Sequence, residues 1–140
     1  MLRVCNGTVR LWTGNGTLYM RGKGSLRMEG TNSLAQVACI TCTDAALEFV
    51  PPEDAAVVTA PYIQTRGTVS FDADSVLRVL NAEKCAVNGG GTYTLLSNSN
   101  TDITGVIQHI EASPDVTVTQ TARSIVVHIA DRSNTLILLR

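Results

Sequence analysis

Four cysteines, two histidines and a few neighbouring acids are the side chains that could give this chain a chemistry, and their spacing argues against it. Cys39-Ile-Thr-Cys42 has the C-x-x-C spacing of a redox dithiol or half a zinc site. A redox pair needs its first thiol at a helix N-terminus, where the thiolate is stabilised. Here the motif lies within a strand-like run, so residues three apart point to opposite faces. A structural zinc site needs a second pair, and Cys5 and Cys85 stand alone. Buried, reduced thiols are the simpler expectation.

His109 and His128 fall in C-terminal strand-like segments, and no carboxylate or nucleophile is spaced to recruit them. Gly89-Gly90-Gly91 lacks the Lys-Ser/Thr of a phosphate loop and precedes a strand rather than a helix. Asp72/Asp74 and Glu53/Asp54 read as loop or cap residues. The expectation is no catalytic residue, no metal and no cofactor.

The other chemistry-bearing group is basic and aromatic, and it takes shape only once strands are placed. Asn-Gly between alternating runs is the strongest short hairpin signal. Two-residue turns at Asn6-Gly7 and Asn15-Gly16 and a loop at Gly22-Lys23-Gly24 predict an antiparallel four-strand meander over residues 1–30. Its registers set Leu2, Val4, Val9, Leu11, Leu18, Met20, Leu26 and Met28 on one face. They set Arg3, Arg10, Trp12, Tyr19, Arg21 and Arg27 on the other.

Arg3, Arg10 and Arg21 would then form a row across neighbouring strands, where like charges repel. Trp12 and Tyr19 would pair beside it, with Arg27 stacked on Tyr19. This face is the expected binding or interface site. Its missing anions would come from Asp72, Asp74, Asp102 or Asp115, from a second copy, or from a ligand such as an acidic glycan.

Beyond the meander, strand-like runs recur at 34–42, 45–50, 57–59, 68–71, 92–96, 103–110, 116–119, 124–129 and 135–139. Residues 72–84 can form one short helix capped by Asp72 or Asp74, although 75–80 also suits a strand. Turn signals about every ten residues imply a single all-β domain over 1–140, an antiparallel sandwich or barrel with at most one short helix. A glycine-spaced echo, Gly16-Thr-Leu-Tyr-Met-Arg and Gly24-Ser-Leu-Arg-Met-Glu, has fewer copies than the three or so a solenoid requires. It reads as a meander, with a short solenoid of more diverged turns as the alternative.

Only 16% of residues are charged, below the quarter or so usual in globular chains. Thr, Ser, Asn and Gly fill the polar positions, as in proteins whose surface is covered by their own copies. No apolar run approaches membrane-spanning length and no signal-peptide core follows Met1, so the expected location is the cytoplasm of the producing cell.

The stretch from Gly105 to Ile129 resembles a pattern frequent in tailed-bacteriophage virion proteins, in which short Val/Ile strands alternate with small polar turns. Val106, Ile110, Val116, Val118, Ile125, Val127 and Ile129 carry the likeness, without the long Gly-rich repeats of the fibre form. The resemblance implies a non-enzymatic virion component such as a capsid decoration or tail protein, commonly a homotrimer, folded in the host cytoplasm. Its partners would be its own copies and a larger capsid or tail, with no membrane or nucleic acid. The alternative is a binding module that takes an acidic glycan or nucleic acid on the arginine-aromatic face.

Overall fold

In the computed structural model, which describes residues 1–11 and 16–133, the chain is rich in strand, but its sheets are mostly parallel. The expected antiparallel sandwich or barrel is not what forms. The first coil runs through β1 (Leu2–Cys5), β2 (Thr8–Leu11) and β3 (Thr17–Arg21). The second repeats the path with β4 (Ser25–Glu29), β5 (Leu34–Val37) and β6 (Cys39–Thr43), and the third with β7 (Ala46–Val50), β8 (Ile63–Thr65) and β9 (Val69–Phe71). A fourth has β10 (Val76–Val79), the helix α1 (Ala82–Val87) and β11 (Gly91–Asn98), with Thr104 making a single parallel bridge to Ser70.

Equivalent strands stack in parallel, β1-β4-β7-β10 in one sheet, β2-β5-β8-β11 in the second and β3-β6-β9 in the third. This is a short β-solenoid. After Thr104, β12 (His109–Glu111) adds to the first sheet, and the hairpin of β13 (Val116–Gln120) and β14 (Ser124–Ile129) pairs antiparallel onto β11.

The strict alternation of apolar and polar residues is retained, but the pairing differs from the meander. Leu2 lies beside Leu26, not Leu11, and the row continues through Leu47 and Leu77 to Ile110. Val4, Met28, Phe49 and Val79 form a second inward row. Ile40 stacks on Leu18 and Val69 in the third sheet, and Ala35 on Val9 and Ile63 in the second. These rows fill the interior, and Phe49 meets Tyr62 and Tyr93 at ring-centroid distances of 4.9 and 5.6 Å. Such aromatic edges add to the plain burial of area.

The turns fail as hairpins for a physical reason. Asn6 does adopt the left-handed conformation (φ 50°), but it makes a corner between sheets rather than a reversal. Its backbone N–H donates to Ser33 Oγ at 2.8 Å, and its Oδ1 accepts from the Thr31 and Asn32 amides at 3.2 and 3.4 Å. The first coil is thereby stitched to the corner of the second. Lys23 (φ 64°) acts likewise, its amide donating to Asp44 O at 2.7 Å. Asn15 and Trp12 lie outside the described residues, as does the strand expected at 135–139.

Further boundaries shift. The run 34–42 breaks at Ala38 into β5 and β6, residues 57–59 form no strand, and the strand expected at 103–110 is realised only at its last two residues, within β12. The short helix occupies Ala82–Val87, with Asn81 before it, because Val76–Val79 is the β10 strand. Asp72 is no helix cap. Its carboxylate accepts from the Asp44 and Asp74 amides and from Ser75 Oγ, fastening the turn before β10.

Candidate functional site: a charged ladder and an open end

Parallel stacking redistributes the predicted arginine-aromatic face over three sheets. Arg3 and Arg27 belong to the first sheet, Arg10 to the second, Tyr19 and Arg21 to the third. The row Arg3-Arg10-Arg21 does not form, and Tyr19 and Arg27 lie in different sheets, with Arg27 paired to Glu48. What Arg3, Arg10 and Arg21 share is the first coil.

On the first sheet the outward row reads Arg3, Arg27, Glu48, Arg78, Glu111, in register across five strands. Glu48 sits at its centre, only 6% exposed, between Arg27 Nε at 3.1 Å and Arg78 Nη1 at 3.3 Å. Arg78 Nε also donates to Glu111 Oε2 at 2.7 Å. Arg3 is drawn diagonally to Glu29 instead, which separates the adjacent cations Arg3 and Arg27. Burial pushes the Glu29 carboxyl up, but hydrogen bonds from Arg3 and Cys5 and the charges of Arg3 and Arg27 outweigh it. The carboxyl is held below its ordinary range.

The anions therefore come from glutamates on neighbouring coils. Asp102 and Asp115, two of the expected sources, pair with Arg123 and Arg132 elsewhere. The sequence carries one signal of this pairing. Glu48 is a lone acid in the apolar run Ala45–Val50, a placement that demands a paired charge.

Arg10 and Arg21 are exposed and carry no ion pair among the described residues. Arg10 begins an outward polar row through Gln36 and Gln64, whose amides bond at 3.0 Å. Arg21 lies beside Thr43. Around them the core runs out. Leu2, Leu11 and Tyr19 are 39%, 42% and 64% exposed. A groove of about 230 Å³ opens at the corner of the first two coils, lined by Met1, Leu2, Leu18, Tyr19, Arg21 and Leu26 among others.

The residues first considered for catalysis are dispersed. Cys39 points outward and Cys42 is buried inward, as residues three apart on a strand must be. Burial pushes the Cys42 and Cys85 thiols up, which suppresses their thiolates. His109 is on the first sheet, whereas His128 is on the second, with its Nδ1 2.8 Å from Thr92 Oγ1. No group of three or more metal-ligating side chains gathers among the described residues. A larger open cleft of about 570 Å³ holds Glu53, Glu83, Lys84 and Ser113. Lys84 pairs with Glu53 at 3.5 Å, and no histidine lines the cleft to activate Ser113.

No helix among the described residues is long and apolar enough to cross a membrane. No protein-family model, curated protein or solved structure matches the chain.

Proposed function

We propose that this chain is a non-enzymatic structural module that acts by assembling with other protein surfaces, in a tailed-bacteriophage virion as a capsid decoration or tail component. The supporting observation is the set of exposed strand edges and apolar side chains on the solenoid's first coil. At the C-terminal end the antiparallel β13–β14 hairpin extends the second sheet by two strands and β12 extends the first by one. At the other end β1, β2 and β3 are all edge strands among the described residues, with apolar side chains exposed beside them. Exposed sheet edges template further pairing, and solenoids need a polar cap to stay soluble. A module with such an end is suited to coverage by another surface. The Val/Ile pattern of residues 105–129 supports the virion setting, and self-association as a homotrimer goes with it.

Mass spectrometry of DNase-treated particles from the producing culture tests the setting. The chain should appear at a fixed ratio to the most abundant particle protein, and its absence from particles overturns the virion reading. Light scattering of the purified chain tests self-association, against which a strict monomer at high concentration counts.

A second reading, an anion-binding module, draws on Arg10 and Arg21, which have no partner among the described residues. Arg3 and Arg27 are already neutralised by glutamates, so that reading loses two of its four arginines.

A further inference from the structure

The first coil combines three properties that point to one kind of occupant. Among the described residues it offers three edge strands, so a polypeptide can continue any sheet by main-chain hydrogen bonds. Its inward row ends, Leu2 and Leu11, are exposed, and an apolar groove opens beside Tyr19. Its charge is one-sided: residues 1–24 contain Arg3, Arg10, Arg21 and Lys23 and no acid. Glu29 and Asp44 of the second coil answer Arg3 and Lys23, leaving Arg10 and Arg21.

We propose that the open end of the first coil docks an edge strand of a different protein, one that alternates apolar with acidic residues. A strand added beside β1 would lay an apolar residue on Leu2 and a carboxylate beside Arg3, extending the alternation already seen from Arg27 to Glu111. A strand added beside β2 or β3 would bring carboxylates to Arg10 or Arg21. The inference rests on the structural reading above for its setting and adds the chemistry of the partner.

A second copy of this chain fits poorly. Head to head, two basic coils would face each other. Head to tail, the flat first coil would meet a stepped surface. There β13 lies two strands beyond β11, while β12 lies one beyond β10. Nucleic acid would satisfy the arginines but leaves the strand edges and the apolar groove unused.

The test uses the full chain and two fluorescent peptides, one alternating valine with glutamate and one alternating valine with lysine. Anisotropy should show binding of the glutamate peptide only, weakening from low to high salt as screened charge requires. Amide exchange should show new protection in β1, β2 or β3. Arg10→Ser with Arg21→Ser, both exposed sites that leave the core intact, should weaken binding roughly tenfold.

Equal binding of both peptides, no binding, or protection confined to β12 or β13 overturns the proposal. So does concentration-dependent protection of β1–β3 in the chain alone, which assigns the end to a second copy. Displacement of the peptide by a duplex oligonucleotide that gives no strand protection assigns the arginines to nucleic acid and overturns it too. These readouts are independent of the particle measurement. A chain found in virions that ignores the glutamate peptide sinks this inference alone, and a chain absent from particles that binds it sinks only the virion setting.

Discussion

Glu48 accepts hydrogen bonds from Arg27 on the second coil and Arg78 on the fourth, so one carboxylate links three consecutive layers of the first sheet. Exposed ion pairs contribute about 0–1 kcal/mol, whereas breaking a buried one costs about 3–5 kcal/mol. Glu48 is buried, but its arginines are part-exposed, which places the effect between these limits. Glu48→Ala should lower the unfolding free energy by about 2 kcal/mol in urea melts. Arg27→Ala in that background should cost less than it does alone. Strict additivity of the two would show that the ladder is ornamental.

Part of this arrangement was readable in advance. Alternation at Leu2, Val4, Leu26 and Met28 marks inward positions whatever their neighbours, because side chains alternate along any strand. Pairing was not readable. Asn6-Gly7 supplies a left-handed residue, and the same conformation serves a hairpin reversal or a corner. The difference lies in contacts with residues 31–33, far along the chain. The rungs Leu2, Leu26, Leu47, Leu77 and Ile110 are unequally spaced, because the loop at 51–62 and helix α1 lengthen later coils. No fixed period betrays the solenoid. The basic cluster was visible as composition, but its division among three sheets depends on that hidden stacking.

Acid should destabilise the fold through identifiable carboxyls. Burial raises Glu29, yet its bonds to Arg3 and Cys5 and nearby positive charge bring it below the ordinary value. Burial likewise opposes, and the Ser75 hydroxyl with the Asp44, Asp74 and Ser75 amides outweighs it, at Asp72. A carboxyl depressed on folding contributes stability that is full above its unfolded value, about 4, and fades as pH falls through the folded value. Urea midpoints should therefore drop below about pH 4, and Glu29→Gln or Asp72→Asn should flatten that drop. An unchanged slope in both variants would exclude these groups as its source.

The cysteines should divide by reactivity. Cys5 is exposed, whereas Cys42 and Cys85 are buried with their thiols pushed up by that burial. Iodoacetamide labelling followed by peptide mass spectrometry should modify Cys5 in the folded chain and reach Cys42 and Cys85 only after denaturation. Native labelling of Cys42 at the rate of Cys5 would contradict its inward place between Met20 and Phe71.

Protection against amide exchange should fall towards the first coil. In a stacked fold each layer is stabilised chiefly by its neighbours. The third coil has layers on both sides, while among the described residues the first has only the second coil beneath it. Under mildly destabilising urea, the amides of β1–β3 should open at lower free energy than those of β7–β9, as local units do when little apolar area holds them. Leu47→Ala, which removes a fully buried side chain from the central row, should cost about 3 kcal/mol and lower protection across all coils. Arg10→Ser should leave the gradient unchanged, because Arg10 carries no ion pair among the described residues. Uniform protection from β1 to β11 would mean the solenoid unfolds as one unit, and the open end would then have no intrinsic weakness for a partner strand to relieve.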